Sequence, residues 1–175
     1  MENQPNTSKK SIMLNYGAIL GFASIIVMLI NYVIGDIYQP HWSLMIFSLA
    51  VTSTIIVYGL KKAKEMNSGF LSVGEAIKTG LGISLISALI YIVYLFIFYN
   101  MIEPDYFINM AKVQEQMIIE RYPNLTDEQM EGAIKNAGMF ANTGANLTLT
   151  MIISLFFGLI ISLIAGLVMK KTEEA

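Results

Sequence analysis

His41 is the single histidine of the chain, and cysteine is absent. No thiolate is available for a zinc site, an iron–sulfur cluster or a covalent intermediate, and a lone imidazole has no partner ligand to complete a metal site or relay. His41 followed by Trp42 reads as an interfacial anchor in preference to a catalytic or metal-binding histidine. Asp127, Glu128 and Glu131, with Glu120 or Asp105, offer the carboxylate oxygens that calcium takes. Their spacing is not that of a calcium hand, and acids at a helix start favour its dipole, so a solvated helix face is expected. Met101, Met110, Met117, Met130 and Met139 carry thioethers suited to copper(I) or to an adaptable contact surface. They lack close spacing, which points to packing within a hairpin or contact with headgroups. Two triplets, Asn124-Leu125-Thr126 and Asn146-Leu147-Thr148, match a glycosylation acceptor, a pattern common by chance. No phosphate loop, nucleophile elbow or dinucleotide fingerprint occurs, and no cofactor is expected.

The elements that would position these groups are mostly apolar. Hydrophobic residues make up 55% of the chain and charged residues 14%, against about 25% charged in an ordinary soluble domain. The apolar residues fall in blocks without the one-sided stripe of a surface helix. Residues 12–34 hold no charge and span roughly 34 Å as a helix, enough for a hydrocarbon core of about 30 Å. That block is too long for a cleaved signal peptide, so a retained anchor is expected. Further spans are expected over 43–60, ended by Lys61, Lys62 and Lys64, over 76–102, and over 146–169. Residues 1–11 read as a polar disordered tail, and Glu173-Glu174 close the chain. Ser72 with Glu75 and Thr126 with Gln129 have the spacing of capping boxes that open helices. Between the third and fourth spans, residues 104–142 read as a helical hairpin started by Pro104 and Asp105 and broken at Pro123-Asn124. The fold class expected is all-α: one polytopic membrane domain over 1–175, with four transmembrane helices and a helical extracytoplasmic segment.

Charge then orients the chain. Lys9, Lys10, Lys61, Lys62, Lys64, Lys78, Lys170 and Lys171 fall on one side, and only Lys112, Arg121 and Lys135 on the other. Basic residues mark the cytoplasmic side, so both termini are expected there, in a bacterial inner membrane, with the hairpin outside. No Asp, Glu, Lys, Arg or His occupies the middle of any span, which argues against a proton-coupled pump or an intramembrane aspartyl or metal protease. Small residues recur every fourth position: Gly17 and Gly21; Gly80, Ser84 and Ala88; Gly158, Ser162 and Gly166. Such strips allow close helix contact, within one bundle or between copies.

The stretch from Asn67 to Gly80, reading NSGFLSVGEAIKTG, precedes the third span, and Ile102-Glu103-Pro104-Asp105-Tyr106 follows it. With four spans, this pattern resembles domain-of-unknown-function family 4199, small inner-membrane proteins of Bacteroidetes-type bacteria. The resemblance implies a four-span protein of uncharacterised function and carries over no catalytic residue. Three functions stay open. The first is a non-enzymatic protein whose outer hairpin contacts an envelope partner or its own bundle; the lipid bilayer is a partner, a homo-oligomer stays open, and nucleic acid is not a partner. The second is a transport component or channel subunit in which Thr52, Ser53, Thr54, Ser84 and Ser87 share a polar cavity. The third is an interface enzyme using Glu103 and Asp105 as acid and base, which would require their convergence in a cleft.

Overall fold

The computed structural model describes residues 8–171, so most of the expected polar tail and the pair Glu173-Glu174 lie outside the described residues. Helix α1 runs Lys9–Ile34 and starts earlier than the apolar block, because the Ser8 side chain accepts from the Ser11 N–H at 3.2 Å and caps it. Lysines in a first helical turn oppose the dipole. Glu75, from the start of the third helix, offsets this by pairing with Lys9 at 2.5 Å.

Helix α2, Trp42–Met66, opens at His41, whose Nδ1 accepts from the Ser43 N–H. Its end corrects the expected stop at residue 60: the helix continues through the lysines to Met66. Lysine is a good helix former, so these charges set membrane depth without ending the helix. Ala63 stays buried in this extension, and Lys64 Nζ donates to the Met169 carbonyl at 2.7 Å. The stop comes from backbone geometry. Ser68 and Gly69 adopt φ of 53° and 87°, and the Gly69 N–H returns to the Lys64 carbonyl. Left-handed residues close helix ends in this way.

Helix α3, Val73–Ile97, opens on the complete Ser72–Glu75 capping box. It passes into a π-helical turn, Phe98–Ile102, closed by the Glu103 N–H on the Phe98 carbonyl. Helix α4 spans Tyr106–Arg121, with Pro104 in the turn before it, and α5 spans Asp127–Ala137, opened by the Thr126–Gln129 box. A 3-10 turn, Gly138–Phe140, leads to α6, Thr143–Met169, capped by the Asn142 side chain. Gly132 lies inside α5 with open space around its missing side chain. Gly132→Ala should therefore raise hairpin stability by up to about 1 kcal/mol, measured by hydrogen exchange across α5.

In the bundle, α3 sits between α1 and α6, and α2 rests on them mainly through Ile56, Gly59, Leu60 and Ala63. Of these, Ile56 and Leu60 join Leu20, Leu71, Ala76, Ile83 and Ala165 in one core. The small-residue strips lie at the seams around α3. A side chain at Gly17 would meet Ile86 at 2.7 Å and the Ile83 carbonyl at 2.9 Å, and one at Gly21 would meet Ile90. Gly80 faces Ser162, Gly158 faces Ser84, and Gly166 faces Ala76, while Ala88 is buried. All of these approaches lie within one chain. At the other surface, Phe22, Ile26, Phe47, Val93, Phe156 and Val168 are exposed on all four long helices. An apolar girdle of that extent is stable only in lipid, and each of the helices bearing it is long enough to cross. The chain is a polytopic membrane protein.

Candidate functional site

Hydrogen bonds place one end of every span on a common face. Lys9 meets Glu75, Lys64 meets Met169, and Leu71 and Lys171 exchange backbone hydrogen bonds at 2.9 and 3.1 Å. Lys171 also lies over the Phe70 ring. Lys10, Lys61, Lys62, Lys78 and Lys170 belong to the same helix ends, and Lys62 pairs with Glu65 at 3.2 Å. The hairpin occupies the opposite face.

Around the π-turn, Leu95, Phe98, Tyr99 and Tyr106 are buried together, with Tyr32, Tyr38, Tyr94, Phe107 and Met110 packed against them. Glu103 accepts from the Tyr32 hydroxyl at 3.1 Å and the Tyr38 hydroxyl at 3.3 Å, and Asn109 donates to Tyr38. Burial pushes the Tyr106 phenol above its ordinary value, and Tyr38 adds to the shift. Tyr99 donates to Asn146, which places the second glycosylation triplet inside α6. This aromatic cap docks the first turn of α4. Beyond Tyr106, α4 and α5 contain no buried residue, and only Phe107, Asn109 and Met110 follow it onto the cap.

Among the described residues, Glu103, Asp105 and Asp36 are engaged separately. Glu103 holds tyrosines, Asp105 is exposed without a side-chain capping bond, and Asp36 accepts from the N–H groups of Tyr38 and Gln39. Asp127, Glu128 and Glu131 are exposed at the start of α5, and among the described residues no carboxylate and histidine group has the arrangement of a metal site. Met110 packs into the aromatic cap, whereas Met101, Met117 and Met139 are exposed. His41 is spent on its cap, with Nδ1 2.7 Å from Ser43 Oγ.

The polar feature of the spans is a groove. No residue of α2 before Ile56 is buried, and a cavity of about 620 Å³ opens between this half of α2 and α1, α3 and α6. Thr52, Ser84 and Ser87 line it, while Ser53 and Thr54 do not, so three of the five expected hydroxyls come together. Ser24 and Ser154 join them from α1 and α6, and neither stood out in the sequence, because spacing alone does not say which face of a helix meets a neighbour. Ser24 donates to the Leu20 carbonyl at 2.9 Å and Thr52 to Ser48 at 2.8 Å. Ser84 Oγ is buried with no partner among the described residues, as is Asn31 Oδ1 towards the hairpin end. Towards the lysine-rich face the bundle is filled by Ile56, Leu60 and Ile83, all fully buried.

Four membrane-crossing helices, a hairpin between the third and fourth, and a half-depth groove lined by hydroxyls define a small polytopic membrane protein. Over residues 15–171 the chain matches the family described as Protein of unknown function (DUF4199), and it belongs to that family. Comparison with curated proteins and with solved structures found no match.

Proposed function

We propose that this protein is a non-enzymatic component of a bacterial inner membrane, with the lysine-rich face in the cytoplasm, whose hairpin binds a protein partner in the envelope. The observation that carries this reading is a second apolar edge on α4. Ile108, Ala111 and Ile119, with Tyr122 just past the helix end, are exposed along one edge of α4 around a single acid, Glu115, and α4 also packs on α5. An apolar edge held above a membrane by a docked helix turn suits a partner helix. The hairpin helices carry Glu115, Glu120, Asp127, Glu128 and Glu131 against Lys112, Arg121 and Lys135. Their acidic surplus disfavours pairing of two copies and favours a different partner.

The cysteine-free chain allows single cysteines at Ile119, Glu128 and Lys62. In intact cells an impermeant maleimide should label Ile119→Cys and Glu128→Cys and spare Lys62→Cys. A crosslinker carried on Ile119→Cys should give one discrete adduct that Glu128→Cys does not give. An adduct only at the mass of two copies would replace the envelope partner by self-association, and labelling of Lys62→Cys would reverse the orientation. The transport reading draws on the shared groove of Thr52, Ser84 and Ser87, but it requires a path past Ile56 and Leu60.

A further inference from the structure

The half of α2 that stands off the bundle does so for a reason in its sequence. Helices approach closely in lipid where small residues face each other. Helix α2 has a single glycine, Gly59, which lies against Tyr16 and Ile83 in the half that packs. Before it, the side chains lining the groove include Leu44, Met45, Leu49 and Val51, whose bulk holds the backbones apart. No hydrophobic force closes the gap, because lipid tails are as apolar as these side chains.

The groove has the depth of one leaflet. On α1 its lining runs from Leu20 to Asn31, roughly 16 Å at 1.5 Å per residue, against about 15 Å for half of a hydrocarbon core. It begins at the hairpin end, where Asn31 and Pro40 form the mouth, and stops at mid-membrane on Ile56, Leu60 and Ile83. Met45, Ile46 and Phe157 line it and are also exposed, so it opens sideways to the surrounding lipid. Its walls suit hydrocarbon. No Asp, Glu, Lys, Arg or His lines it, Ser24 and Thr52 donate to carbonyls of their own helices, and Ser84 Oγ is packed against Gly158 in the α3–α6 seam. Water does not fill an apolar space of this kind, and an empty one forfeits dispersion contacts along its whole lining.

We propose that the groove, of about 620 Å³, holds one acyl chain of a phospholipid from the hairpin-side leaflet, retained as part of the folded protein. Depth selects this occupant. A chain whose headgroup stays at the interface reaches mid-membrane and no further, and the groove ends there. Sideways entry lets the headgroup remain at the surface, where the exposed Trp42 marks the interface beside the mouth. The chain supplies the contacts that α2 does not make, and so ties the free half of α2 to α1, α3 and α6.

The test uses the full chain in bilayers containing a phospholipid with a photoactivatable diazirine near the end of one acyl chain. Irradiation and peptide mass spectrometry should find adducts on Leu49 and Ile153 several-fold above Phe47 and Ile152, which lie within a turn of the same depth and are exposed without lining the groove. Ser154→Trp fills the groove from α6 and should abolish that preference. Ile152→Trp adds the same bulk on the lipid-facing side and should leave it intact. An unchanged elution volume and unfolding temperature confirm that each variant is folded, and the comparison within the unaltered chain decides the matter should Ser154→Trp not fold. Excess unlabelled phospholipid should suppress the groove adducts, and hexadecane, which has no headgroup, should suppress them far less. Equal labelling of the four positions, a preference that survives in folded Ser154→Trp, or equal suppression by hexadecane would each overturn the proposal, the last in favour of a free lipophile.

Discussion

Phe98→Ala should lower the stability of the folded chain by about 3–5 kcal/mol, the usual cost of removing a fully buried aromatic ring. Phe98 is 0% exposed and stands at the centre of the aromatic cap. Its ring meets Tyr32 edge-on at 5.2 Å, and Tyr94, Tyr99 and Tyr106 at 5.7 to 6.1 Å. Deleting it leaves a void bounded by rings from α1, α3 and α4, whose positions are set by one another and by Glu103. The first turn of α4 should then loosen along with the bundle. Thermal unfolding in detergent measures the global loss, and faster hydrogen exchange over residues 99–107 locates it. Phe96→Ala is the comparison. That ring is 56% exposed on the lipid-facing side, and its loss should change stability by no more than about 0.5 kcal/mol. Equal effects of the two substitutions would show that the cap is not a packed core.

Gly158→Ala should cost about 1–3 kcal/mol, as overpacking does where backbone and side chain already touch. The added methyl carbon would occupy the position of Ser84 Oγ, at the seam where α3 and α6 approach most closely. One carbon is enough. The seam has no spare room, since Ser162, a turn further along, donates to the Gly158 carbonyl and faces Gly80. Ser84→Gly removes the obstructing atoms, so the double variant should be more stable than Gly158→Ala alone. Such non-additivity is the signature of direct contact. Unfolding temperatures of the two single variants and the double variant measure it, and simple addition of the two costs would place the contact elsewhere.

What the sequence reveals here is what one helix decides for itself. Uncharged length identifies the four spans, because a helix in lipid must satisfy its backbone internally and hide no charge. Ser72 with Glu75 and Thr126 with Gln129 are equally local, since both partners of each box lie within one turn, and both boxes form. The end of α2 is not legible from charge, because lysine limits burial in lipid but not helicity, and the turn at Ser68 and Gly69 decides it. The π-turn has no signal in residue type. It is stabilised by tertiary packing, with Phe98 and Tyr99 both buried against rings from other elements. The meeting of Glu103 with Tyr32 joins positions 71 residues apart, and no periodicity along the chain encodes it. For the same reason the hydroxyl lining of the groove is seen only in part from sequence, where Thr52 is recognisable and Ser154 is not.

The central place of α3 has a consequence for how the protein is made. Ribosomes deliver α1 and α2 first, and α1 can dock onto α3 as soon as α3 is inserted. The other flank of α3, with Gly80 and Ser84, must wait through synthesis of α4 and α5 for its partner. During that interval the half-built bundle holds small, hydroxyl-bearing surface against acyl chains, so arrival of α6 is the step that commits the chain to its final form. A nascent chain stalled before α6 would be the form most open to quality-control proteolysis.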